Sequence, residues 1–307
     1  MRFDSYHPMI NFIYFVTAIL CAVWFQHPAF LLISFLAAFV YSVKLNGIRS
    51  LILNCCLIPL IIAYALNYSS YNHFGVTSLR SNLIGNPITL EALAVGVARG
   101  VTAATIIMIF SCIFTVVSAD KVVYLFGRIS PRLSLYLSIL MRFVPRVKQR
   151  AGRSELSRKG IGKGCLQGNI WQKVLHICGF ISILITWTLE DFVESAASMK
   201  CRGYSLRGRT AFSIYRFDNR DRGFVLTLFA CLTVLWVAVA FNQTTITYNP
   251  EIVMNRITPI SFVFYGVYAF CLLLPMILQI VGEWKYKKCR SMLGENTFDR
   301  KHKLVYY

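Results

Sequence analysis

Residues 130–160 read SPRLSLYLSILMRFVPRVKQRAGRSELSRKG. Ser130-Pro131 is a helix start: a serine N-cap followed by the proline that the first helical position tolerates. From Leu133 to Val147 apolar residues dominate, yet Arg142, Arg146 and Arg150 recur at i, i+4 and i+8. That spacing draws one cationic stripe along a greasy helix. Such a helix lies along a membrane interface or packs under a helix bundle. Pro145 is expected to bend it, and a polar, basic segment, about Val147 to Lys159, follows. It closes on Ser157-Arg158-Lys159-Gly160, and a second helix-like segment closes on Cys201-Arg202-Gly203. Each puts an arginine in the last turn and a glycine just after, where the chain can take positive φ and stop the helix.

Working outward, this region sits between two sets of apolar runs. The chain has 307 residues, 56% of them hydrophobic and 15% charged, which departs from a soluble globular composition. Spans are read over about Met9 to Phe25, Pro28 to Val43, Ser50 to Leu66, Glu91 to Val117, Gly223 to Phe241 and Thr258 to Val281. Pro59 is expected to kink the third of these. The expected fold class is an all-α membrane protein with about six transmembrane helices and an amphipathic insert. The division is 1–118 for four spans, 119–222 for the insert, 223–282 for two spans and 283–307 for a basic tail.

Net charge is +19, and its placement sets the expected orientation. The insert at 119–222 carries nineteen of the thirty-two Lys and Arg, and the tail from Glu283 carries seven. The loops at 26–28 and 67–90 carry one between them. Positive charge stays on the cytoplasmic side, so the N-terminus, insert and tail are expected inside. The run from Val174 to Leu189 is apolar enough for a short span. Crossing there would put Arg207 to Arg222 outside, so it reads as an interfacial or buried helix continuing to Lys200. Ser195-Ala196-Ala197-Ser198 would let another helix approach closely.

Several chemistries are excluded or weakened. Gly160-Ile161-Gly162-Lys163-Gly164 lacks the first glycine and the Ser or Thr of a phosphate-binding P-loop, and no strand pattern leads into it. Its glycines read as a helix stop and a link. None of the ten cysteines forms a C-x-x-C pair, and the five histidines show no metal-ligand spacing. No span holds paired carboxylates. The insert's acids (Asp120, Glu155, Glu190, Asp191, Glu194, Asp218 and Asp221) have no nucleophile–base arrangement around them. No catalytic or metal residue is therefore assigned, and no cofactor is expected on this chain. Arg99, inside the fourth span, is a functional candidate by its charge, although at that depth it can snorkel to the interface. A basic helix end also has a plain role, offsetting the helix dipole and touching anionic headgroups. Two such ends on one basic insert look instead like plugs for a partner, because arginine's planar fork pairs bidentately in a groove.

From Glu194 to Tyr204 the chain reads ESAASMKCRGY, and this resembles the second arginine motif of the T component of energy-coupling factor transporters. The segment from Gln149 to Gly160 looks like the first such motif, with an extra lysine. The resemblance covers most of the chain: four spans, a coupling insert, then a return to the membrane. It implies a non-catalytic scaffold in the bacterial plasma membrane with both termini cytoplasmic. Ser157, Arg158, Lys159 and Gly160 would dock one ABC-type ATPase subunit, either Arg158 or Lys159 entering its groove. Cys201, Arg202 and Gly203 would dock the other. ATP and magnesium would belong to those ATPases. Leu137, Leu140 and Phe143 would carry motion to a small membrane subunit that binds a vitamin or a transition-metal ion. Partners would then be two ATPases, that substrate-binding subunit and the bilayer, with no nucleic acid. The competing classes are a self-sufficient permease or channel, whose first candidate is Arg99, and a membrane-anchored lipid or nucleic-acid binder. Tyr215 and Phe217 flanking Arg216 are the feature that points to nucleic acid.

Overall fold

The computed structural model describes residues 3–72, 74–81, 87–204, 215, 217–248, 251–255 and 258–292. The basic residues from 205 to 214, Arg216, Arg256 and the tail beyond 292 lie outside the described residues, as does the side chain of Arg80. The chain is an all-α, multi-pass membrane protein. Its helices are α1 (Pro8–Trp24), α2 (Pro28–Asn46), α3 (Ile48–Tyr71), α4 (Leu90–Val116), α5 (Ala119–Ile129), α6 (Pro131–Gly160), α7 (Ile170–Cys201), α8 (Asn219–Ala240) and α9 (Pro259–Met292). A 3-10 turn at Phe3–Ser5 precedes them. Two short antiparallel pairs, β1 (Ser78–Ser81) with β2 (Pro87–Thr89) and β3 (Ile246–Thr247) with β4 (Val253–Met254), sit in the loops.

Six of these helices are long and apolar enough to cross a membrane: α2, α3, α4, α7, α8 and α9. The set differs from the sequence reading at two places. The 17-residue α1 is apolar but short for a span. The run at 174–189 extends to a 32-residue helix, α7, in which no residue is buried. The buried alternative for that run is therefore not what the fold contains. Most of its apolar side chains are exposed, and the rest are only partly covered.

The chain divides into two compact units. The first joins residues 1–118 to 215–307 and holds α1–α4, α8 and α9; the second, 119–214, holds α5–α7. In the first unit, α1 and α2 start alike. His7 and His27 are N-caps whose Nδ1 accepts from the backbone N–H two residues on, and Pro8 and Pro28 take the first helical position. Gly47, at φ 65°, turns α2 directly into α3.

The packing of α3 on α4 rests on a row of small residues that the sequence reading passed over. Ala92, Gly96, Gly100 and Ala104 recur at every fourth position of α4, and all are buried. A Cβ at Gly96 would stand 2.9 Å from the Cα and carbonyl oxygen of Ala65 on α3, and one at Gly100 would stand 3.1 Å from Ile61. Without a hydrophobic drive between helices in lipid, such close backbone approach is what holds them together. Pro59 lies within α3, which stays one continuous helix. Tyr14 on α1 donates to the carbonyl of Leu272 on α9 at 2.6 Å. Pro275 lies inside the same helix and, lacking an N–H, leaves the neighbouring carbonyl of Cys271 without its ladder partner. Phe25, Phe30, Tyr265 and Tyr268 form an aromatic cluster joining α1, α2 and α9, with ring centroids 5.0–5.4 Å apart.

Candidate functional site

The second unit carries the candidate site. Its framework is α6 against α7, and three contacts fix their sense. Phe143 stacks on Phe192 with centroids 4.7 Å apart. Arg150 pairs with Asp191, Nη2 to Oδ1 at 2.7 Å. Arg158 reaches the carbonyl of His176 at 3.0 Å. As the numbers rise along α6 they fall along α7, so the helices are antiparallel. The two arginine ends therefore lie at opposite ends of the pair. At ~1.5 Å per residue along each helix from the Phe143–Phe192 stack, Arg158 and Arg202 stand roughly 35–40 Å apart.

Both helices stop with the same backbone device. In α7, Gly203 has φ 75°; its N–H bonds to Lys200 O at 3.0 Å, and Tyr204 N–H bonds to Met199 O at 3.2 Å. In α6, Gly162 has φ 78°; its N–H bonds to Lys159 O at 3.1 Å, and Lys163 N–H bonds to Arg158 O at 2.9 Å. Each is a Schellman closure with glycine in the left-handed region. The glycine that stops α6 is thus Gly162, not Gly160, which is still helical. This displaces the two arginines relative to one another. Arg202 immediately precedes its positive-φ glycine, whereas Arg158 lies four residues before its own. In α6 the position equivalent to Arg202 is Ile161, which is 75% exposed.

The surroundings of the arginines differ accordingly. Arg158 is half-buried, and its guanidinium bonds to the carbonyls of Lys163 at 3.3 Å and His176 at 3.0 Å. It lies over Gly179, where an added Cβ would stand 3.6 Å from the guanidinium, an ordinary van der Waals contact. Arg158 ties the end of α6 to the loop and to the first turns of α7. Lys159 pairs with Glu155 one turn back at 2.9 Å, an exposed pair of small worth. The Ser157 hydroxyl donates to Arg153 O at 3.1 Å. Arg202 is exposed, and its guanidinium makes no hydrogen bond or ion pair among the described residues. Cys201 beside it is also exposed.

Leu137, Leu140 and Phe143 all lie on α6. Leu140 is exposed, Leu137 is half-buried, and Phe143 is committed to Phe192. Of the arginine stripe, Arg142 and Arg146 are exposed and Arg150 is taken up by Asp191. Sequence reasoning missed Asp191, Phe192 and Gly179 as structural partners of the site. One readable signal was present: Asn169-x-x-Gln172 forms a capping box that starts α7.

Elsewhere, Arg99 is exposed and its guanidinium lies 5.0 Å from the ring centre of Tyr68 on α3, a cation–π contact. Glu91 is buried at the start of α4 and accepts from the Thr77 hydroxyl at 2.8 Å. A cavity lined by Tyr14, Ser34, Tyr41 and Cys112 measures about 20 Å3, room for one water. Among the described residues there is no group of three or more His, Cys, Asp or Glu able to hold a metal ion. No protein-family model matches the chain, and no curated protein matches it.

Proposed function

We propose that this chain is the transmembrane scaffold, the T component, of an ABC-type energy-coupling factor importer. Two ATPase subunits would dock on the ends of α6 and α7, and a small membrane subunit would bind the vitamin or transition-metal ion. The observation that carries the reading is the antiparallel pair itself. Two helices of one basic unit end in the same Schellman closure, roughly 35–40 Å apart, each with an arginine at its end. Closure of an ATPase pair would move such ends relative to one another, and a stacked, ion-paired crossing would pass that motion along α6 and α7 as levers. ATP and magnesium stay on the partners. In this reading the chain sits in the bacterial plasma membrane with both termini and the second unit cytoplasmic. Arg202 is the exposed docking group at one end. At the other, Arg158 positions the tip, and the exposed Ile161–Lys163 turn faces the partner until Arg158 is drawn out.

The test is co-purification with intact ATPase subunits from membranes. Wild type is compared with Arg158→Glu, Arg202→Glu and the double variant, with insertion checked in each. Weakening in both single variants and loss in the double supports two docking ends. Equal recovery of ATPase in all four forms, or none with wild type, refutes the reading. Attention then passes to a permease, beginning with Arg99→Gln.

A further inference from the structure

We infer that the first unit holds a site for the phosphodiester of a membrane phospholipid on the exposed side of α3 and α4, built on Arg99. This residue stands well inside the 27-residue α4. That helix makes a rod about 40 Å long against a hydrocarbon core of about 30 Å. With α4 centred in the core, the backbone of Arg99 lies roughly 9 Å inside the hydrocarbon. The residue is nonetheless exposed, so its charge meets the bilayer. A charge in a span is costly unless something pairs with it.

The side chain climbs toward the end of the helix pair. Gly96 packs on Ala65 and Gly100 on Ile61, so Arg99 leaves α4 level with that stretch of α3. Its guanidinium lies 5.0 Å from the ring centre of Tyr68, nearer the end of α3 at Tyr71. A stem that carries its charged head from hydrocarbon toward the interface behaves as snorkelling requires. Tyrosine near a helix end belongs at headgroup level. Tyr68 stacks in turn on Tyr64, with centroids 6.4 Å apart and planes at 24°. Tyr64 and Tyr71 are both exposed.

This surface offers donors without acceptors. Among the described residues the Arg99 guanidinium makes its cation–π contact and no hydrogen bond or ion pair. The hydroxyls of Tyr64 and Tyr68 make no hydrogen bond there either. A ring face attracts the charge but supplies no lone pair, so the N–H donors of the fork are left for a ligand. Glu91, the acid of α4, lies two turns away. Its Oε1 accepts from the Thr77 hydroxyl at 2.8 Å and the Thr77 N–H at 3.3 Å. The occupant is therefore an anion with several acceptor oxygens; metal ions and ammonium groups have the wrong sign. A phosphodiester presents two unesterified oxygens, which match the bidentate fork. Every phospholipid brings one to headgroup level, whereas a carboxylate at this depth has to come from a second membrane protein.

The full chain is reconstituted in nanodiscs of equal phosphatidylcholine and digalactosyldiacylglycerol, re-extracted in mild detergent, and its retained lipid is counted by native mass spectrometry. Neither lipid has net charge, so the chain's +19 does not sort them, and only phosphatidylcholine carries a phosphate. The preference of wild type for phosphatidylcholine is expected to exceed that of Arg99→Gln by about tenfold, the worth of one charge-assisted hydrogen bond. Arg99→Lys keeps the charge without the fork and is expected to fall between them; it carries the comparison if Arg99→Gln is not monodisperse. Equal preference in wild type and both variants overturns the site. Thermal melts in discs of the glycolipid alone, with inorganic phosphate or acetate added at equal ionic strength, separate the sources. A melting temperature raised by phosphate through Arg99, without selective retention of phosphatidylcholine, overturns the lipid in favour of a free phosphate. The same response to acetate alone overturns it in favour of a partner's carboxylate. None of these results bears on ATPase docking.

Discussion

Replacing Gly96 by alanine is the sharpest test of how the membrane unit holds together. The added Cβ would lie 2.9 Å from the Cα and from the carbonyl oxygen of Ala65. Carbon contacts are optimal near 3.5–4.0 Å, and both atoms it meets are backbone, so no rotamer change relieves the overlap. α3 and α4 must part by several tenths of an ångström. The separation spreads along the seam to Gly100 and Ile61, where spacing is also tight. Overpacking of this kind costs about 1–3 kcal/mol, while alanine regains about 1 kcal/mol of helix propensity over glycine. The net expectation is destabilisation by about 1 kcal/mol. Gly266 is the matched control. It lies inside α9 with open space where a Cβ would go, so Gly266→Ala is expected to stabilise by up to about 1 kcal/mol. Unfolding in mixed micelles of mild detergent and dodecyl sulfate, followed by tryptophan fluorescence, places both variants on one scale. If Gly96→Ala proves as stable as Gly266→Ala, the close α3–α4 seam is wrong.

Two further outcomes follow from the first unit. His27 caps α2 through a neutral Nδ1 that accepts from Ala29 N–H, and burial holds its pKa below the usual histidine value. As pH falls, the unfolded chain therefore takes up the proton first. The His27 contribution is full above about pH 6.5 and is lost as pH drops below it toward the folded pKa. Thermal melts across that range should slope downward in wild type and less steeply in His27→Asn, which keeps a capping acceptor; identical slopes count against the cap. Tyr14→Phe removes the 2.6 Å bond to Leu272 O and is expected to cost about 1 kcal/mol in the same micelle titration; an unchanged midpoint would mean that α1 is not pinned to α9 there.

Much of the architecture was legible because membrane helices announce themselves by length and apolarity. The spans near α2, α3, α4, α8 and α9 were placed by hydropathy and loop charge alone. Ser130-Pro131 marked the start of α6, since a small polar residue followed by proline suits a helix start. The stop of α6 was legible only as a region. Gly160, Gly162 and Gly164 all permit positive φ, and the choice of Gly162 depends on which carbonyls the following N–H groups reach. The seam at Ala92, Gly96, Gly100 and Ala104 was readable at four-residue spacing but was hidden inside a uniformly apolar run.

By itself, then, the sequence determined what a one-dimensional pattern can carry: the helical class, the basic insert and the paired arginine ends. The tertiary structure decided that Arg158 is committed while Arg202 is exposed. Arg158 and Arg202 sit in similar local sequences, and each has a fork seeking acceptors. Only the antiparallel return of α7 brings the His176 carbonyl and the bare backbone of Gly179 beneath Arg158. Among the described residues, none bonds or pairs with the Arg202 guanidinium. A side chain's partners come from chain segments distant along the sequence, and the path that brings them together is a property of the whole unit.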